Sequence, residues 1–184
     1  NKGGDGAFID MSDPATLSPE NQQKTPGFIN SEAFGNAWFV SEVKVFNSPD
    51  EEFAALDSED LESVAITDET YSNDNGKLFN EGISGTYTNN RNETVTMISY
   101  RPNEIKYSLD NVKGGDHFIV FSEVYYELGW KAYVDGAVIP INRVDYTLRG
   151  LKVPEGSKEV ILKYELKSFE SLSNIALASS SLII

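Results

Sequence analysis

From about Ile83 onward the sequence repeats one pattern. Short runs rich in Val, Ile, Tyr, Phe and Thr recur at 94–100, 105–109, 118–126, 130–134, 137–144, 146–153 and 159–166, each closed by a turn signal. Strands at a spacing of roughly 8–12 residues cannot bury an apolar side alone, so they must associate into packed sheets. The punctuation agrees: Gly114-Gly115, Asp135-Gly136 and Pro154-Glu155-Gly156 each favour a reversal. Glycine accepts positive φ there, and proline presets the entry to a turn. Asp135-Gly136, flanked by Ala132-Tyr133-Val134 and Ala137-Val138-Ile139, predicts a hairpin. Val160, Leu162 and Tyr164 alternate with Ile161, Lys163 and Glu165, as in a strand with one face in a core. The expected fold is therefore mainly β, a jelly-roll-like β-sandwich over 81–170.

Residues 31–80 read differently, as a small α/β unit. Ala37-Trp38-Phe39-Val40 runs into the alternating Val43 and Val45 as one strand signal ending at Phe46. Ser48-Pro49-Asp50-Glu51 has the form of a capping box, with Pro49 at the first helical position. A short helix over roughly 49–57 follows, with Phe53 and Leu56 on its apolar face, and Val64-Ala65-Ile66-Thr67 reads as a buried strand. Asp50 to Glu69 contains nine acidic residues and no basic one. Because carboxylates are seldom buried, a solvated face plus helix-end charge is the expectation.

The ends carry little pattern. Residues 1–30 are rich in Gly, Asp, Asn, Ser and Pro, and Gly3, Gly4 and Gly6 are too irregular for a phosphate loop. An irregular lead segment is expected there. The chain starts with Asn, as a processed or excised piece does. At the other end, within 171–184, residues 172–184 contain no charge. Crossing a bilayer takes about 20 apolar residues, so this stretch is either a final packed element or the start of a transmembrane helix.

Charge removes several function classes. The 184 residues hold 15 Lys and Arg against 29 Asp and Glu, a net charge of −14. Residues 1–90 have four basic and 17 acidic side chains, whereas residues 91–184 have eleven and twelve. Phosphate neutralisation needs clustered cations, so a nucleic-acid partner is not expected. Electrostatic attachment to anionic lipid is disfavoured for the same reason. With no Cys and one His, neither thiol catalysis, Cys-ligated zinc nor a His-based metal site is expected.

Three constellations deserve chemical consideration. Glu123 lies between Phe121 and Val124-Tyr125-Tyr126, where desolvation would raise its pKa as a general acid requires. The plainer alternatives are a wet-face residue or a carboxylate satisfied by an Arg or Tyr. Trp38, Trp130, Tyr125, Tyr126 and Tyr133 are candidates to stack on sugar rings, although strand aromatics more often build cores. Asn73-Asp74-Asn75-Gly76 resembles a calcium loop but has Tyr71 where the first ligand belongs, so a turn is the better reading. His117 reads as a surface or edge residue. No catalytic set, cofactor site or metal site emerges, and the candidate glycan contacts are Trp38, Glu123, Tyr126 and Trp130.

Two blocks carry a resemblance. Phe34-Gly35-Asn36-Ala37-Trp38-Phe39-Val40, followed by Asp50-Glu51-Glu52, resembles a block of the bacterial YfhO-type membrane proteins. A second runs from Phe121 through Tyr125-Tyr126-Glu127-Leu128-Gly129-Trp130 to Asp135-Gly136 and continues with Arg143, Tyr146, Leu148-Arg149-Gly150 and Val153-Pro154-Glu155-Gly156. The resemblance implies a polytopic protein similar to lipid-linked-sugar glycosyltransferases, with an extracytoplasmic domain before a last membrane helix. This chain would then be a non-catalytic accessory domain, periplasmic or cell-surface, tethered to the inner or plasma membrane. Its partners would be the rest of its own membrane-spanning protein and an envelope glycan. Two other readings stay open: a secreted carbohydrate-binding β-sandwich module, and a glycosidase using Glu123.

Overall fold

A computed structural model describes residues 33–69 and 82–165. The expectations for 1–30, for Asn73-Asp74-Asn75-Gly76 and for 171–184 lie outside the described residues. From Phe34 onward the described chain belongs to one compact unit, and it is mainly β.

The sandwich consists of a five-stranded and a four-stranded sheet. The first has the order β5 (Thr94–Arg101), β6 (Glu104–Asp110), β12 (Glu159–Tyr164), β8 (Trp130–Val134) and β9 (Ala137–Ile139). The second has the order β1 (Ala37–Val40), β7 (His117–Val124), β11 (Leu148–Val153) and β10 (Asn142–Val144). Every pairing in both is antiparallel. Alternation decides what meets between them. Phe39, Ile119, Phe121, Leu151 and Val153 face Ile105, Tyr107, Val134, Val160 and Leu162 across a shared core. Each such side chain contributes roughly 1.5–3 kcal/mol when fully buried.

The other face of the four-stranded sheet is covered too. A mixed sheet of β3 (Val64–Asp68), β2 (Glu42–Phe46) and β4 (Gly85–Thr86) lies over it, with β2 and β3 parallel. Val40, Phe118, Val120 and Val144 meet Val43, Ala65 and Ile83 in this second core. Helix α1 (Pro49–Ala55) closes the far side of the mixed sheet, where Ala55 packs with Val64 and Ile66. The first five residues of β7 are therefore buried on both faces, and their sequence is apolar in nearly every position, as a doubly covered strand requires.

Several expected elements are redrawn. The strand expected from Ala37 to Phe46 is two strands with a break at Ser41, whose N–H donates to Ser63 O at 2.8 Å. β1 then joins the four-stranded sheet while β2 joins the mixed one. The run expected over 137–144 splits at Pro140, which has no N–H to continue a ladder, and β9 and β10 fall in different sheets. The run expected from Tyr146 begins at Leu148, because Asp145 and Tyr146 adopt φ of 48° and 66°. Asp135-Gly136 forms the expected hairpin, with φ of 48° and 84°.

In α1, Ser48 Oγ accepts from Glu51 N–H at 3.3 Å, as the capping box requires. Glu51 reaches back to accept from Asn47 N–H at 3.1 Å, one residue beyond the cap. The apolar face is a correction: Phe53 is 60 % exposed, and Glu52 is turned inward and fully buried.

Candidate functional site

Glu52 is buried because a cation waits for it. Arg143 on β10 donates from Nη2 to Glu52 Oε2 at 2.6 Å and also to Asp68 Oδ2. Glu52 Oε1 additionally accepts from Tyr146 N–H at 2.8 Å. Two members of the acidic stretch 50–69 are thus inside the protein, which corrects the expectation of a solvated face. Asp145 completes the cluster. Its N–H donates to Ile66 O at 2.7 Å and its Oδ1 accepts from Ile66 N–H at 2.9 Å, so one residue satisfies the outer edge of β3. Burial pushes the Asp145 carboxyl up to about 7, against the pull of the Ile66 N–H and helped by the nearby Glu52 charge. Burial also raises Glu52, while Arg143 and Tyr146 N–H oppose the shift. These contacts tie the α1–β3 layer to β10 and the turn after it, so the cluster is a structural fastening.

His117 is likewise inside, contrary to the expectation of a surface or edge residue. It opens the central strand β7, and its Nε2 lies 2.7 Å from Glu93 Oε1 with both side chains fully buried. Its neighbour on the other side is the Phe39 ring, edge-on at 5.7 Å.

A different arrangement forms where β8 begins. Arg149 lies over the Trp130 ring, 4.1 Å from its centroid, and Tyr164 meets the same indole edge-on at 5.6 Å. Arg149 Nε donates to Val124 O at 3.0 Å, while its Nη1 is buried without a hydrogen-bond partner among the described residues. The guanidinium pKa is lowered by burial, opposed by the Glu123 charge and by neighbouring tyrosines. Glu123 is raised by burial and pulled down by Arg149. Beside Trp130 opens a cleft of about 210 Å³, lined among others by Tyr126, Glu127, Lys131, Val138 and Pro140. Gly129 lets the chain turn into it at φ 84°, with its Cα so close to Tyr164 that a Cβ would lie 2.6 Å from that ring.

The sequence profile of a family described as Bacterial membrane protein YfhO matches residues 73–175. That is more than half of the 184 residues. The chain belongs to the YfhO family. The match covers the block around Trp130 and stops short of the one around Trp38. No curated protein and no solved structure matches. Among the described residues no helix is long and apolar enough to cross a membrane.

Of the four candidate glycan contacts, this YfhO-family domain gathers two at the cleft, Tyr126 and Trp130. Glu123 shares the charge environment of Arg149 below Trp130 but does not line the cleft. Trp38 is elsewhere: it is half-buried on the second core, with Nε1 donating to Leu61 O at 3.0 Å. Arg149 was missed by reading the sequence for motifs. Its signal is parity, since Arg149 shares a strand face with Leu151 and Val153, both core residues. Alternation turns it toward the core side of the sheet, where it is in fact buried.

Proposed function

We propose that this chain is a non-catalytic, extracytoplasmic accessory domain of a polytopic membrane protein, and that the cleft beside Trp130 holds part of an envelope glycan. The observation that carries the reading is the fixed indole. With Arg149 over one face and Tyr164 against its edge, Trp130 has little rotamer freedom left to lose when a sugar ring stacks beside it. Tyr126, 55 % exposed, supplies a second ring. Glu127 and Lys131 supply polar atoms for hydroxyl groups. The partner is then the membrane-spanning remainder of the same protein, a member of a family of glycosyltransferase-like character.

Calorimetric titration with fractionated envelope glycans tests this. Tyr126→Ala should weaken binding and leave the urea midpoint in place, because the ring is largely in solvent. Trp130→Ala should weaken binding and also cost about 3–5 kcal/mol of stability. Absence of binding by the wild-type chain, or undiminished binding by Tyr126→Ala, would overturn the reading. A secreted carbohydrate-binding module would use the same cleft and differ in being recovered away from the membrane fraction. A glycosidase needs a second carboxylate at roughly 5–9.5 Å from Glu123, and Arg149, a cation, is the group that faces it.

A further inference from the structure

The central strand β7 is irregular at one place. Leu148 pairs with Val124 while its neighbour Arg149 pairs with Phe121, so Ser122 and Glu123 have no residue opposite them on β11. A bulge re-aims the side chains it carries and is common beside functional sites. Ser122 N–H turns to the other neighbour and donates to Asn36 O at 2.9 Å. Glu123 keeps the parity of Ile119 and Phe121, both core residues, and is half-buried where that face ends.

Arg149 comes to the same place from β11, and hydrogen bonding alone does little to hold it. Its Nε donates to Val124 O at 3.0 Å, the carbonyl just past the bulge, while Nη1 is buried without a partner. A guanidinium taken out of water needs a counter-charge to remain there. Burial pushes Arg149 toward losing its proton, and the first charge opposing this is that of Glu123, ahead of Tyr107, Tyr100 and Tyr125. The Tyr107 hydroxyl, also buried without a partner, lies in the field of the same carboxylate. Glu123 is outside the lining of the cleft. It reaches the cleft only through the guanidinium that lies over Trp130.

We propose that Glu123 is a positioning residue: its charge, aimed by the bulge, keeps the Arg149 guanidinium over Trp130 and so sets how firmly the indole is presented to the glycan. Without that charge the guanidinium is a buried cation with one hydrogen bond, and leaving the ring for solvent becomes the better state. Trp130 then regains rotamer freedom that binding must remove again. The glycan is taken from the cleft reading, on which this inference rests, whereas the coupling of Glu123 to Trp130 can be measured without any ligand. The other side chains facing this place are Tyr100, Tyr107 and Tyr125 around the guanidinium, Tyr164 at the edge of the indole, and Glu127 and Lys131 in the cleft. Glu165 accepts from Lys131 at 2.6 Å.

The test uses the full 184-residue chain carrying Trp38→Phe as parent, so that Trp130 is the single indole. Acidifying the parent should move the emission to longer wavelength as Glu123 takes a proton, above the ordinary carboxylate range because burial raises this group. With Glu123→Gln the long wavelength should hold at every pH, and Glu123→Asp, which keeps the charge, should follow the parent. Glu127 and Glu165 are common to all three proteins, so the difference between them belongs to Glu123. At neutral pH Glu123→Gln should bind the fractionated envelope glycan about three- to tenfold more weakly, the cost of ordering a loosened side chain. Each emission is read well below the urea midpoint of its protein, so unfolding does not enter. The proposal is overturned if Glu123→Gln matches the parent in emission and pH response, or if Glu123→Asp departs as far as Glu123→Gln. A parent that shows the pH response and binds no glycan overturns the cleft reading alone. One that binds glycan with an emission insensitive to pH overturns the role of Glu123 alone.

Discussion

Arg143 holds Glu52 at 2.6 Å across 91 positions of sequence, and the Glu52 side chain is completely shielded from water. A guanidinium buried between two carboxylates is costly to desolvate, but removing it alone is worse, because both anions stay behind. Arg143→Met should therefore lower stability by about 3–5 kcal/mol, read from urea unfolding. Adding Glu52→Gln to that variant should recover part of the loss. An Arg143→Met protein as stable as the parent would show that the pair contributes nothing.

The same cluster sets a pH dependence. Asp145 titrates near 7 in the folded protein against an ordinary 3.8, so folding takes up a proton in that window. Stability from this group is full below the ordinary carboxylate range, declines as pH rises toward about 7, and is level above it. Glu52 is shifted in the same direction. The whole Asp145 shift corresponds to roughly 4 kcal/mol at most. Asp145→Asn keeps an acceptor for Ile66 N–H and removes the charge. The wild-type urea midpoint should fall between pH 5 and pH 8, and that of the variant should fall less, by the share that Glu52 leaves. Equal slopes would place the charge elsewhere. Glu165, held at about 2 by Lys131 and Lys163, has the opposite sign, and its effect belongs to acid below the window.

Gly129 and Gly136 share a φ of +84° but not a neighbourhood. A Cβ on Gly136 meets open space, whereas one on Gly129 meets the Tyr164 ring at 2.6 Å. Gly136→Ala should cost about 1–2 kcal/mol, the strain of a left-handed alanine. Gly129→Ala should cost about 2–4 kcal/mol, with the clash added. Only the second should alter the emission of Trp130, which packs on the displaced ring.

Arg149→Lys keeps the charge and loses the plane. The stacked guanidinium and the Nε bond to Val124 O are both forfeited, which should cost about 1–2 kcal/mol. In a Trp38→Phe background Trp130 is the single indole, and its emission should shift to longer wavelength. Unchanged emission would mean that Arg149 does not hold the ring.

What could be read in the sequence was local. The Asp135-Gly136 hairpin, the Ser48 cap and the alternation of β12 each depend on residues within a few positions of one another, and all three form as expected. What could not be read was which strand lies beside which, and the buried charges follow from that. Glu52 looks like its neighbours Asp50 and Glu51, and nothing near it announces Arg143. His117 has its Glu93 partner 24 residues upstream, in a stretch that reads as a turn. Pro140 splits a run that composition alone presents as continuous. At the cleft, Trp130 and Tyr126 were legible as aromatics, while the cation that steadies Trp130 required strand parity to find.

The break at Ser41 has a practical corollary. The family match begins at residue 73, yet β1 completes one edge of the sandwich and the counter-charges of Arg143 come from α1 and β3. A fragment excised at the family boundary would leave β7 with an unpaired, apolar edge and Arg143 stranded in a hydrophobic wall. Such a piece is prone to intermolecular strand addition. An expressible unit has to begin upstream of Phe34.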